Sequence, residues 1–217
     1  MHTNPEHKNK SARIVAYAIT DSIENEVRSV LNNILTQHDC SDMLAPVYTS
    51  IKELMINAIK ANYKNIYFEG YNPKIDTEQT IDYETALRLF QLEITRENAV
   101  SLEEFARASN YKTEIEVWTI EKVLHVMVTN PVKMTETELA NVKRKLMDAE
   151  KCRDLADYFL NNMDDPYREG AGLGLILIMM MLKSLRAPKD SLVITSGEDR
   201  TSAYLKIPLI NDVQNCA

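Results

Sequence analysis

The chain of 217 residues carries only five glycines, and three of them, Gly170, Gly172 and Gly174, fall within five positions of one another. They stand in YREGAGLGLILIMMMLKSL (167–185), directly before an apolar run from Leu173 to Leu182 that only Gly174 interrupts. That run is about half the length needed to cross a bilayer, so it predicts a helix buried against a sheet. Glycines opening such a helix allow two readings. Backbone N–H groups without intrahelical partners, at the positive end of the helix dipole, suit an anion. Alternatively, the missing side chains simply let the helix pack closely. Two familiar phosphate loops do not fit. A dinucleotide fold needs its glycines directly after a strand, whereas NNMDDPYRE precedes them here, and no lysine directly follows Gly174 to make the Gly-Lys-Ser/Thr of a Walker loop.

The remaining elements follow from periodicity. RIVAYAIT (13–20) predicts a strand, and Asp21 or Ser22 predicts the cap of a helix carrying Ile23, Val27, Val30, Leu31, Ile34 and Leu35. A second helix is expected from Asp42 to Tyr63, then a short strand NIYFE (65–69). A polar stretch with helices near Tyr83–Glu93 and after a Ser101/Glu104 capping box comes next. KTEIEVWTI and VLHVMVT alternate as strands around Glu121 and Lys122, Thr135 to Asn162 is patterned as helix, and SLVITS and SAYLKIPL read as two closing strands around Gly197. The expected fold class is an α/β (α+β) sandwich with a mixed, mainly antiparallel sheet covered by helices. It forms one domain over residues 11–217, with a mobile end at 1–10 and a helical insertion at about 70–111.

In IKELMINAIKANYK (51–64), Glu53, Asn57 and Lys60 recur four and three residues apart, along one side of a helix whose other side is apolar. A solvated flank explains such a trio without any ligand. A magnesium-nucleotide site also uses it: a carboxylate to orient a nucleophile, an amide oxygen for a hard cation and an ammonium for phosphate. Together, ELMINAIKA and GAGLGL resemble the N box and the second glycine box of the GHKL ATPases, a superfamily that includes gyrase, sensor histidine kinases and anti-sigma-factor kinases. The resemblance spans about residues 40–209.

It implies a Bergerat-type ATP-binding fold with ATP and Mg²⁺ as cofactors. Asn57 would hold the metal, Glu53 would be the catalytic orienting group, and Lys60 would match a basic residue of the kinase branches. The amides around Gly170, Gly172, Leu173 and Gly174 would line the phosphates, 133–169 would form a lid, and Thr201 would help hold the adenine. One departure stands out. The Asp-x-Gly-x-Gly expected after the central strand reads Thr129-Asn130-Pro131-Val132, which leaves Asn130 as the acceptor for the adenine amino group.

A histidine kinase also carries a phosphoacceptor histidine on an upstream hairpin. His38 stands only fifteen residues before Glu53, too close for the second hairpin helix. Any acceptor is therefore expected on a protein partner in trans. The implied function is an ATP/Mg-binding signalling kinase or ATPase; the alternative is a non-catalytic module of the same fold that acts by binding a partner. A net charge of −7 with dispersed cations argues against nucleic acid. Three scattered cysteines argue against disulfides or zinc, and the expected setting is cytoplasmic, off the membrane, with a homodimer permitted.

Overall fold

The computed structural model describes residues 9–68, 96–161 and 173–210. Five strands form one sheet in the order β1-β2-β3-β5-β4: β1 (Asn9–Ala16), β2 (Thr113–Ile120), β3 (Val123–Asn130), β4 (Leu192–Ser196) and β5 (Thr201–Pro208). Every pairing is antiparallel, so the expected parallel contribution is absent among the described residues. The helices are α1 (Asp21–Gln37), α2 (Leu44–Ile66), α3 (Arg96–Ala108), α4 (Glu136–Lys151), α5 (Leu155–Asn161) and α6 (Leu173–Ser184). The architecture is an α+β sandwich with the core between sheet and helices.

Strict alternation sets which side chains enter that core. Ile115 and Val117 on β2, Leu124, Val126 and Val128 on β3, and Leu205 and Ile207 on β5 are buried. They meet the apolar face of α2, including Ile51, Met55, Ala58 and Ile66, and the buried stripe of α6, Leu175, Ile176, Ile178, Met179 and Leu182. Helix α1 is held to α2 by a polar lock. The Tyr48 hydroxyl donates to Glu24 Oε2 at 2.6 Å, Lys52 Nζ meets Glu24 Oε1 at 2.6 Å, and the Arg28 guanidinium lies 3.6 Å from the Tyr48 ring centre.

Several expectations need correction. The described part of NIYFE, residues 65–68, is not a strand: α2 continues through Ile66 and ends in a wider turn at Tyr67 and Phe68. Tyr63, Ile66 and Tyr67 prolong its buried face at helical spacing, and that tertiary burial outweighs the local β preference. This helix begins at Leu44, after a short turn at Ser41–Met43, not at Asp42. β1 starts at Asn9, earlier than the expected Arg13, and stops at Ala16, short of the expected Thr20. Thr20, not Asp21 or Ser22, caps α1, with its side chain accepting from the Ile23 N–H. Ser101 lies inside α3, which already runs from Arg96, so its capping pattern caps nothing. The capping box belongs instead to Thr135 and Glu138 at the start of α4. The polar helical stretch is two helices, broken between Lys151 and Leu155. The helix expected at Tyr83–Glu93 lies outside the described residues.

On the sheet face away from the helices, Trp118, His125 and Tyr204 stack across β2, β3 and β5, with neighbouring ring centres 5.4 and 5.9 Å apart. His125 Nδ1 lies 2.5 Å from the Tyr204 hydroxyl. Burial, with a smaller push from the Lys206 ammonium, holds the imidazole below its ordinary value of 6.5. The unfolded chain therefore takes up a proton at a pH where the folded chain does not, so stability is full above 6.5 and falls as pH drops below it. Chemical denaturation between pH 7.5 and 5.5 is expected to show this loss in the wild type and a flatter profile in His125→Gln.

Candidate functional site

Helix α2 presents different chemistry on its two sides. At about 100° per residue, Glu53, Asn57, Lys60 and Lys64 share the side opposite the one that packs on the sheet. Glu53 is half-buried, while Asn57 and Lys60 are exposed. The first turn of α6 lies directly against this stripe. A Cβ built on Gly174 would overlap Glu53 Oε2 and would stand 3.7 Å from Asn57 Nδ2. Gly174 lies in the helix and outside the left-handed region, so what a side chain would meet there is lack of space, and the atom in its way is the far end of the flexible Glu53 side chain. The fold thus brings Glu53, Asn57 and Gly174 together, although Leu173, the partly exposed residue that opens α6 just before Gly174, lies 120 positions beyond Glu53. Gly170 and Gly172 lie outside the described residues.

Asn130 and Thr201 form a second group. They are cross-strand partners at the ends of β3 and β5, both buried and both on the helix side of the sheet. The Thr201 hydroxyl donates to the Val132 carbonyl at 2.7 Å, and Ser196 Oγ accepts from the Met134 N–H at 2.9 Å. These two bonds tether the chain leaving β3, so Thr201 acts here on the Thr129–Val132 turn itself. Asn130 Nδ2 donates to Asn62 Oδ1 at 3.1 Å, and Asn62 Nδ2 donates in turn to the Tyr111 carbonyl at 3.0 Å and Thr113 Oγ1 at 3.3 Å. Asn62 lies on the sheet-facing side of α2 and is 1% exposed.

Lys60 sits apart from both groups. It lines the rim of a mainly apolar pocket of about 270 Å³, with Ile19, Ile56, Ile59, Tyr63 and Val100 among the other walls. The Tyr63 hydroxyl donates to the Tyr17 carbonyl beside this pocket, and burial, then the nearby Glu103 carboxylate, push its pKa up to about 12.

Reading the sequence missed three functional candidates. Lys64, one turn beyond Lys60, makes an ion pair with Glu138, the residue that also closes the capping box of α4. Although burial of Glu138 acts in the opposite direction, Lys64 and the Thr135 bonds hold its carboxyl below the usual value. Lys183, near the end of α6, donates to the carbonyls of Ala149 at 2.8 Å, Glu150 at 3.0 Å and Cys152. It thereby caps the C-terminus of α4, where a cation also opposes the helix dipole. Both ends of α4 are therefore fastened by lysines from α2 and α6, the two helices that meet at Gly174. The third is Asn62. The spacing of Lys64 from Glu53 and Asn57 was available to find the first; nothing local marks Lys183 or Asn62.

Because Lys183 is exposed, its bonds are worth less than buried charged ones. Lys183→Met is expected to cost about 1 kcal/mol in urea unfolding. It is also expected to accelerate amide hydrogen exchange in the last turn of α4 more than in α2.

No protein-family model matches the chain. It is similar to a protein of Treponema pallidum (strain Nichols) described as uncharacterized, with 31% identity over 164 residues that take in 76% of this chain. Those residues amount to 31% of that protein, so the chain spans about a third of the length of the relative it matches.

Proposed function

We propose that this chain is a Bergerat-type nucleotide-binding protein of the GHKL kind, which binds ATP with Mg²⁺ and passes the γ-phosphate to a protein partner in trans or to water. The observation that carries this reading is the close approach of Gly174 to Glu53 and Asn57. The two motifs that separately have bland explanations meet at one place, at the amino end of a buried helix.

The donor set fits the metal. Glu53 and Asn57 offer hard oxygen atoms on an accessible surface, and Mg²⁺ takes few protein ligands, filling its octahedron with phosphate oxygens and water. Among the described residues there is no cluster of three or more His, Cys, Asp or Glu that would suit a different metal site. When bound, the ion supplies charge neutralisation for the phosphates. Asn57 would hold it, and the amides of Leu173 and Gly174, which lack intrahelical partners, would face phosphate oxygens. Glu53 would orient the attacking hydroxyl or water.

The side of α2 between Asn57 and Asn62 supports the same reading. Ala58 and Ala61 lie on that flank, so only small side chains stand on the path a base would follow from the phosphate-facing residues to Asn130. Helix α4, fastened by Lys64 and Lys183, would form the anchored part of the lid.

A non-catalytic binding module is the second reading, favoured by the neutral Asn130 where the family carries an aspartate. The two differ in turnover, not in nucleotide binding.

Titration calorimetry with a non-hydrolysable ATP analogue tests the site. Binding is expected with Mg²⁺, and Asn57→Ala is expected to weaken it at least tenfold; absence of binding to folded wild type at millimolar analogue would refute the proposal. Gly174→Ala separates site from fold. Alanine favours a helix over glycine by up to about 1 kcal/mol, and the Glu53 carboxylate can swing away from the added methyl. Thermal stability should therefore stay within a few degrees of wild type, while Mg-dependent binding weakens because the added methyl stands beside Asn57 where the phosphates and the ion would sit.

A further inference from the structure

Resting on the nucleotide reading above, we infer that Asn62 is the positioning residue that sets base selectivity, because it fixes which end of the Asn130 amide faces a bound base. The chain of bonds allows only one arrangement. The Tyr111 carbonyl can only accept, so Asn62 must turn its Nδ2 toward it. Asn62 Oδ1 is then the atom facing Asn130, and Asn130 must answer with its own Nδ2. That leaves Asn130 Oδ1 on the side away from Asn62, as a fixed acceptor. An isolated asparagine could offer either end of its amide and accept two kinds of base; this one cannot.

The consequence is a preference for a purine with a 6-amino group, which donates to Oδ1, over a purine with a 6-oxo group, whose oxygen would face another acceptor. Burial makes the preference firm. Asn62 and Asn130 are 1% and 3% exposed, so reversing Asn130 to offer Nδ2 to a 6-oxo group would set its own Oδ1 against Asn62 Oδ1, two buried acceptors facing each other with no donor between them. An ionised aspartate at position 130 would need no such relay, having acceptors at both ends. The relay is what lets a neutral side chain do the work of a carboxylate.

The test compares affinities for the imido analogues of ATP and of inosine triphosphate, measured by calorimetry with Mg²⁺ on the full chain. One hydrogen bond gained or lost corresponds to roughly a tenfold difference, so wild type is expected to prefer the adenine analogue by at least that factor. Asn62→Ser keeps a hydroxyl that can donate to Tyr111 or to Asn130, and so releases the orientation of Asn130. It is expected to bring the two affinities to within about threefold, chiefly by improving binding of the inosine analogue. General weakening of the fold would lower both affinities together and leave their ratio unchanged. An unchanged ratio in Asn62→Ser with binding intact overturns the role of Asn62, while the nucleotide site stands. No binding of either analogue to wild type overturns the site and this inference with it.

Discussion

The contact between the first turn of α6 and the polar stripe of α2 governs the arrangement of the helical layer. Both helices must lie flat on the same sheet, because α2 buries Ile51, Met55, Ala58 and Ile66 there and α6 buries Ile176, Ile178 and Leu182. Two helices side by side normally separate by the width of their side chains. Gly174 removes that separation at one point, so the amino end of α6 comes to rest on the Glu53 carboxylate. A negative group suits that end of a helix, which explains why a half-buried glutamate is tolerated between two apolar helices. The same geometry concentrates partial positive charge where Glu53 and Asn57 supply oxygen atoms, so an anion bound there competes with Glu53 unless a cation accompanies it.

Helix α4 depends on this contact at second hand. Its charged sequence buries little beyond Ala149, and a helix with so small an apolar face takes most of its stability from its ends and neighbours. The capping box and Lys64 hold one end, and Lys183 holds the other. Because those lysines come from different helices, any displacement of α6 along α2 would be felt at both ends of α4. The positions of α6 and α4 are thereby linked through two lysine side chains as well as through the packing of Ala149, Val142 and Leu146 on the shared core.

Local periodicity made much of this fold legible. The alternation of KTEIEVWTI and VLHVMVT placed β2 and β3, and the apolar run placed α6, since each pattern is imposed by burial on one known face. The failures share a cause. NIYFE has β-favouring residues, yet Ile66 and Tyr67 fall in register with the buried face of α2, and a stretch of five residues cannot reveal that register. Ser101 and Thr135 are both followed three residues later by glutamate, and only Thr135 caps a helix, because only there does the preceding chain arrive extended. For the candidate site, Glu53, Asn57 and Gly174 were legible as types at a spacing; their contact was not. Asn62 was invisible, since an asparagine on a buried helical face acquires meaning only from what the sheet places opposite it.

That last point bears on how a chain without the adenine-binding aspartate would retain a preference for its base. Asn57 and Asn62 lie about 140° apart around α2, so a ligand reading both must wrap the flank of the helix, past Ala61 and Ala58. On the proposed reading the phosphate end would be held on an exposed surface by charge, where solvent screens each contribution. The base end would be held in a buried place by orientation, where a single misdirected dipole is costly. A neutral amide gives up the attraction of a full charge, and therefore some affinity, but in a dry site with its orientation locked it discriminates between donor and acceptor as sharply as a carboxylate. Affinity and selectivity in this chain would accordingly rest on opposite sides of one helix, the first on Asn57 and the amino end of α6, the second on the bond between Asn62 and Asn130.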